Sequence, residues 1–243
     1  MLALSLVLLG CIPSGDVVVM TGTVYNVPNA AGSVVNGATV RTLNGDGQAV
    51  DEVQTDADGA FGVNVPEGEG FYVQTEGPEG EGYVPTAFSG DAGLNDFDAG
   101  IGFPWVASPE WFASLKEDWV DCPGAAEAGE PGSGIAIVGE IRMWINVTDI
   151  DLMPIQQGTV VRVTPAQGEE KEACYHDAAG LYDPAATGTG EDGYYAVFGV
   201  DAGGIAVSVE YDDTDLNRRV VVYRYLAVDA SLVPIYPTFV YNE

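Results

Sequence analysis

The chain has 243 residues, enough for one or two domains, and 47% of them are hydrophobic, which is typical of a globular protein. Its 37 acidic residues outnumber 8 basic ones and give a formal net charge of −29. This charge repels nucleic acids, whose binding requires lysine and arginine to displace counterions, so we expect no nucleic-acid partner. The 32 glycines and 14 prolines predict many short strands and turns.

The chain opens with an apolar segment, residues 1–10, in which Ser5 is the polar exception. A membrane-spanning helix needs about 20 apolar residues, so this segment is too short to span and instead fits a secretory signal peptide. The tetrapeptide LLGC that ends at Cys11 resembles the lipobox of bacterial lipoproteins, although no basic residue precedes the apolar run. The resemblance implies lipidation of Cys11, with residues 11–20 as a tether and a membrane as partner. The alternative is an N-terminal core strand that contains a buried cysteine.

Two later regions share one strand-and-turn pattern, and we interpret them as copies of one unit. Both copies alternate apolar and polar residues, which predicts strands half-buried against a core, and both carry an Asp-Gly pair that suits a hairpin turn. The second copy has a long insert between Val163 and Thr189. The matched motifs begin at Gly22, Gly37 and Thr55 in the first copy and at Gly139, Gly158 and Thr189 in the second.

These patterns predict an all-β fold with two tandem antiparallel β-sandwiches, residues 21–106 and 135–243. Residues 107–134 should form a short helix and a Gly/Ala-rich linker. The helix is predicted to begin after Ser108 as its N-cap, with Pro109 in the first turn. Four apolar residues share one face of this helix and should pack on a sandwich: Trp111, Phe112, Leu115 and Trp119.

The order of the motifs resembles that of carboxypeptidase regulatory-like domains: Gly-x-Val, then Gly-Ala-x-Val, then Thr-x-x-Asp-Gly followed by an aromatic residue. The similarity covers Gly22 to Pro85 in the first copy and, more weakly, Val138 to Tyr211 in the second, where Thr159 replaces the alanine. The resemblance implies transthyretin-like β-sandwiches. It also implies an accessory role, such as surface display or contact with a protein or a carbohydrate.

If Cys11 carries lipid, Cys122 and Cys174 remain. In an exported protein such a pair predicts a disulfide. Closing a loop over their 52-residue separation would stabilise the fold by roughly 4 kcal/mol. Two separate buried thiols are the alternative.

Catalytic chemistry finds little support in the sequence. Nucleophilic catalysis with a general base would depend on His176, the single histidine, which lies in the long insert and which we expect to be a surface-loop residue. Zinc would have to be bound by His176, Cys122 and Cys174, one ligand short of a tetrahedral structural site. We therefore predict that the protein is not an enzyme.

Calcium is the metal that the composition favours, because it is bound by carboxylate and amide oxygens. Asp213, Asp215 and Asn217 have the D-x-D-x-N spacing of such ligands. However, Arg218 and Arg224 occupy the positions where an EF-hand loop has glycine and an acid, so a solvated turn is the alternative. We expect no other cofactor.

The prediction is a non-catalytic lipoprotein of the cell envelope, held at the outer membrane or cell surface, with a structural or macromolecule-binding role. One alternative is a carbohydrate-binding accessory module in which Trp105, Trp111, Trp119 or Trp144 stacks on sugar rings, although core packing also explains these residues. The other alternative is a calcium-dependent adhesin.

Overall fold

The computed structural model describes residues 17–27, 33–44, 46–67, 70–91, 105–128, 134–144, 155, 157–201, 203–212, 219–227 and 232–241. Within them most residues lie in strands and one α-helix is present, which confirms the all-β class. Among these residues no helix has the length and hydrophobicity that crossing a bilayer requires.

The first half of the chain contributes eight of the described strands. They are β1 (Val17–Thr23), β2 (Tyr25–Val27), β3 (Thr39–Asn44), β4 (Ala49–Gln54), β5 (Ala60–Pro66), β6 (Gly70–Glu76), β7 (Thr86–Asp91) and β8 (Trp105–Ala107). The helix α1 (Pro109–Asp118) and a 3-10 turn (Ala125–Glu127) follow. Strand β1 thus begins inside the segment 11–20 that we expect to be a tether.

The second half contributes nine strands. They are β9 (Ile135–Trp144), β10 (Val160–Pro165), β11 (Lys171–Glu172), β12 (Cys174–His176), β13 (Tyr182–Asp183), β14 (Tyr194–Val200), β15 (Gly203–Tyr211), β16 (Arg219–Ala227) and β17 (Leu232–Tyr241).

A nine-stranded sheet passes through both halves in the order β13-β12-β14-β9-β17-β7-β6-β3-β4. Strand β17 lies between β9 and β7 and is parallel to both, joining β7 where Leu232 faces Thr86. The remaining strands form a four-stranded sheet, β11-β10-β15-β16, and two pairs, β1-β5 and β2-β8. The sequence motifs did not predict a sheet common to both copies, because β17 belongs to no repeated motif.

Three apolar cores lie between these layers. The first joins β1 and β5 to β3 and β6 through residues such as Met20, Val63 and Val73. The second core joins the part of the large sheet that contains β9 and β14 to β10 and β15, and it includes Ile137 and Val207. The third lies on the opposite face of β9 and β14, beneath α1 and the 3-10 turn. Strands β9 and β14 are therefore buried on both faces, which explains their nearly continuous apolar sequence.

Helix α1 begins as predicted. The hydroxyl of Ser108 accepts a hydrogen bond from the backbone N–H of Trp111 at 3.2 Å, and Pro109 occupies the first turn. The C-terminal Trp119 is fully buried, with its ring centroid 5.9 Å from that of Phe112 and 4.9 Å from that of Phe198. The apolar face of α1 thus packs on β14, as the helical spacing indicated.

The segment that follows α1, which we expected to be a Gly/Ala-rich linker, packs onto the same sheet face. Ala125 and Ala128 are both buried in the third core. Gly124 adopts a positive φ of 80°, which a side chain would strain.

The repeated motifs occupy equivalent positions in the strand pairing. Gly22 of β1 faces Phe61 of β5, and Gly139 of β9 faces Tyr195 of β14. These are the residues that the sequence alignment of the two copies matches. The matched motif residues therefore face each other in the same way in the two regions.

The Asp-Gly motif has the same structural reason in both copies. Gly59 and Gly193 have φ of 71° and 75°, and their carbonyls accept the backbone N–H of Val24 and of Ile141 at 2.9 and 3.0 Å. A Cβ atom at Gly59 would lie 3.1 Å from the Val24 carbonyl oxygen, and one at Gly193 would lie 2.8 Å from that of Ile141. Glycine is required at both turns because the neighbouring backbone approaches so closely.

Candidate functional site

The two copies differ most at the edge of one strand. In the first copy the six-residue β4 pairs along β3, whereas in the second copy β10 pairs at this edge with the two-residue β11. The chain then continues into β12, which pairs with β14 in the large sheet. Residues 171–176 therefore cross from one sheet to the other.

A tyrosine hydroxyl replaces part of the missing strand. The backbone N–H of Val161 in β10 donates to the hydroxyl of Tyr175 at 2.7 Å, and that hydroxyl donates to the Val161 carbonyl at 3.2 Å. Tyr175 is 3% exposed, and this burial raises the pKa of its hydroxyl to about 12. The hydroxyl therefore stays protonated at neutral pH and bonds both backbone groups of Val161, whose carbonyl also accepts the backbone N–H of Ala173 at 3.2 Å.

The crossing segment leaves a cleft of about 820 Å³, which we call the insert cleft. Residues of β10, β11 and β12 form one side, and the segment after α1, the loop after β13 and the end of β14 form the other. Its lining consists of residues 123–124, 127, 160, 162, 170–175, 184–187 and 198–199.

The insert cleft contains charges of both signs. The guanidinium of Arg162 donates to Glu210 at 3.0 Å and lies 3.7 Å from Glu170 and 3.8 Å from Glu172. The hydrogen bond to Glu210 is the main reason that the pKa of Arg162 is raised, with the other two carboxylates adding to it. Lys171, on the adjacent β11, also lines the cleft. The network holds the Arg162 side chain in a defined orientation.

A disulfide links the two sides of the insert cleft. Cys122, which follows α1, is bonded to Cys174 of β12, with their Cα atoms 6.0 Å apart. Each cysteine is 4% exposed and belongs to the third core. The disulfide that the sequence predicted is confirmed, and it fixes the segment after α1 against the crossing segment.

The prediction that His176 is a surface-loop residue is wrong. His176 ends β12, its side chain is 16% exposed, and its Nδ1 lies 2.5 Å from a carboxylate oxygen of Asp192. Its ring centroid lies 4.1 Å from that of Tyr182 and 5.2 Å from that of Tyr194. This contact was not predictable from the sequence, because nothing in the insert indicates that it folds back onto the Asp-Gly turn.

The aromatic residues around His176 are held in a partly desolvated environment. Burial is the main cause that raises the pKa of Tyr182 and of Tyr194, and the nearby Asp192 carboxylate adds to both shifts. Asp192 also accepts the backbone N–H of Tyr194 at 3.2 Å. These contacts hold the β12–β13 hairpin against the start of β14. The aromatic residues and Asp192 therefore have a structural role beside the insert cleft.

The structure does not describe the other predicted site residues. Cys11 and the proposed calcium ligands Asp213, Asp215 and Asn217 lie outside the described residues. Within the part of the chain that the structure describes, no group of three or more His, Cys, Asp or Glu side chains could hold a metal ion.

The tryptophans proposed as sugar-stacking platforms divide into two groups. Trp119 is fully buried and cannot face a ligand, and Trp111 is half-buried against the third core. The side chains of Trp105 and Trp144 lie outside what the structure describes. Core packing is therefore the role of Trp119.

Comparison with known proteins gives distant similarities. No family model matches the chain, and no curated protein matches it. Among solved structures, the Bacillus anthracis TIE protein is similar with a TM-score of 0.29 and 12% identity over 93% of this chain, which spans 34% of that protein. The shaft pilin SpaA from Lactobacillus rhamnosus GG has a TM-score of 0.28 and 8% identity, covering 94% of this chain and 98% of the pilin. The minor pilin of Streptococcus agalactiae has a TM-score of 0.25 and 12% identity, covering 91% and 94%. At TM-scores this low, the similarities support no conclusion about function.

Proposed function

We propose that the protein is a non-catalytic lipoprotein of the cell envelope, anchored through lipid on Cys11 at the outer membrane or cell surface, and that its folded part binds a macromolecule. The observation that carries the proposal is the buried disulfide between Cys122 and Cys174. Structural disulfides form in oxidising compartments outside the cytosol. A chain that depends on one requires export, and the signal-like segment 1–10 followed by Cys11 supplies both the export signal and the anchor.

The folded part of such a lipoprotein would lie close to the bilayer. Strand β1 begins at Val17, six residues after Cys11, and six residues span at most about 20 Å. The net charge of −29 would repel anionic headgroups wherever the folded part comes within a Debye length of them, about 8 Å at physiological ionic strength. Attachment would therefore depend on the acyl chains, whose burial contributes about 0.8 kcal/mol per methylene.

The same proposal assigns the folded part to two transthyretin-like units of the carboxypeptidase regulatory-like type, residues 21–106 and 135–243, joined by residues 107–134. Its support is the equivalence of the motif residues in the two halves, such as the facing pairs Gly22–Phe61 and Gly139–Tyr195. Such units serve as accessory modules, and the insert cleft of the second unit offers a place for a ligand.

Metabolic labelling tests the lipid anchor directly. The full chain is expressed in a bacterial host that is fed an alkyne-bearing fatty acid, and the label and the membrane fraction are then measured. We expect labelled protein in the membrane fraction, and loss of both label and membrane association in Cys11→Ala. The matched control, Cys122→Ala with Cys174→Ala, should keep the label because it retains the acylated thiol. Unlabelled protein with an intact Met1 in the cytosol would overturn the proposal.

A further inference from the structure

We propose that the insert cleft binds an uncharged oligosaccharide. The inference rests on the proposed binding function and deepens it by naming the class of ligand. The size of the cleft, its charge balance and the way its sides are held support it.

The dimensions and origin of the cleft are those of a ligand site. Small-molecule sites have volumes of about 300–1,000 Å³, and the insert cleft measures about 820 Å³. It exists because the second copy replaces a full-length edge strand with β11 and the crossing segment 171–176. The crossing segment is present in one copy and has no counterpart in the strand pairing of the other. It therefore points to a role that the repeated scaffold alone does not have.

The charge of the cleft excludes two other ligand classes. Its lining contains Arg162 and Lys171 together with Glu127, Glu170 and Glu172, so the two signs nearly balance. The chain as a whole is strongly acidic, with a net charge of −29, and would repel an anionic ligand. A cationic ligand would bind acidic surface anywhere on the molecule and would not require this cleft. An uncharged ligand is the class that the balanced lining favours.

The polar groups of the cleft match hydroxyl groups, which both donate and accept hydrogen bonds. In the cleft, Arg162 and Lys171 can donate hydrogen bonds to such hydroxyls, and the carboxylate of Glu127 can accept hydrogen bonds from them. Hydrogen bonds that involve a charged partner are stronger than those between two neutral groups. Beside them, the apolar surfaces of Val160 and Ala185 can pack against the C–H faces of a sugar ring.

The sides of the cleft are fixed before any ligand arrives. The disulfide between Cys122 and Cys174 joins them covalently, and the contact with Glu210 holds the Arg162 guanidinium. Polar groups that are already in place lose little conformational entropy on binding. This pre-organisation suits a ligand whose recognition depends on the placement of several hydroxyl groups.

The test is a calorimetric titration of the purified full-length protein in detergent. The probes are maltotriose, mannotriose and N-acetylglucosamine trisaccharide as uncharged ligands, sialyllactose as an anionic ligand and trilysine as a cationic one. We expect saturable binding of at least one uncharged trisaccharide. Failure of all three to bind at millimolar concentration, or saturable binding of sialyllactose or trilysine in their place, would overturn the inference.

Two substitutions locate the binding. Ala185 is exposed at the rim of the cleft, so Ala185→Trp should fill it without disturbing a core and weaken binding about tenfold or more. The matched control is Ala179→Trp, because Ala179 is also exposed but lies outside the lining, and this variant should bind as the unmodified chain does. Lys171→Gln should weaken binding about tenfold through loss of a charged donor.

The outcomes separate this inference from the proposed function. Unchanged affinity in Ala185→Trp, with circular dichroism showing a folded protein, would place the sugar elsewhere and refute the cleft assignment. Absence of the fatty-acid label from the unmodified chain would instead count against the envelope anchor, which the titration does not measure. Saccharide binding without lipidation, and lipidation without saccharide binding, are thus distinguishable results.

Discussion

In each copy, one buried threonine closes the equivalent loop. The hydroxyl of Thr55 accepts the backbone N–H of Ala38 at 3.0 Å and donates to the carbonyl of Val35 at 2.6 Å. In the second copy the hydroxyl of Thr189 accepts the backbone N–H of Thr159 at 3.0 Å. The repeated threonine of the motif is thereby explained, since it satisfies backbone groups that the loop buries away from water.

Removing the Thr55 hydroxyl should therefore be costly. Thr55→Val keeps the shape of the side chain but leaves the Ala38 N–H and the Val35 carbonyl without this partner. The expected loss is about 2–4 kcal/mol of unfolding free energy, measured by urea denaturation. Thr55→Ser should retain most of the stability, and Thr21→Val, at an exposed strand position, should change it by less than about 0.5 kcal/mol. A Thr55→Val variant as stable as the unmodified chain would show that the hydroxyl is dispensable.

At the residue scale, the sequence predicted features that depend on residues close in the chain, and it did not predict contacts between residues far apart in the chain. The turn glycines and the Ser108 N-cap were predicted, because each depends on residues close in sequence. The pairing of His176 with Asp192 was missed, since it depends on how a long insert folds back over 16 residues. The partners of Tyr175 were missed for the same reason.

Among the secondary-structure elements, α1 and the segment after it act as a cover for one face of the large sheet. Trp119 packs edge-on against Phe112 and Tyr182 and is tilted against Phe198. The helix and its apolar face were predictable from spacing and capping. Its packing partners were not, because Tyr182 and Phe198 lie more than sixty residues further along the chain.

The disulfide holds this cover in place, and its removal should be measurable. We expect Cys122→Ala with Cys174→Ala to lose about 4 kcal/mol of unfolding free energy, because the bond restricts an unfolded loop of 52 residues. The far-ultraviolet circular dichroism should stay close to that of the unmodified chain, since the strands keep their pairing. Urea denaturation gives the difference, with Cys11→Ala as a control that removes a cysteine outside the bond. A loss below about 1 kcal/mol would indicate that the packing around Trp119 holds the cover without the disulfide.

On the scale of the whole molecule, the two halves share a β-sheet as well as a connecting segment. Strand β17 lies between β9 and β7, and Ala87 of β7 is buried in the core of the second half. Period-two alternation predicted the strands but could not predict their neighbours, because alternation shows which face of a strand is buried and not what lies at its edges. The parallel pairing of β17 was therefore beyond the reach of the sequence motifs.

A shared sheet should make the halves unfold together. Differential scanning calorimetry is expected to show one transition whose van't Hoff enthalpy matches the calorimetric enthalpy, on the order of 150 kcal/mol for a unit of this size. Two independent sandwiches would instead give van't Hoff values of about half that figure. Two resolved transitions would show that the contact at Leu232 and Thr86 does not couple the halves.

The position of β17 also affects how the chain is made. Every other described strand precedes it, yet it lies at the centre of the large sheet. While the ribosome is still adding residues 232–241, the edges of β7 and β9 that β17 joins have no neighbour from this strand. A nascent chain in that condition lacks the pairing at the centre of its large sheet, so it has not reached its most stable form.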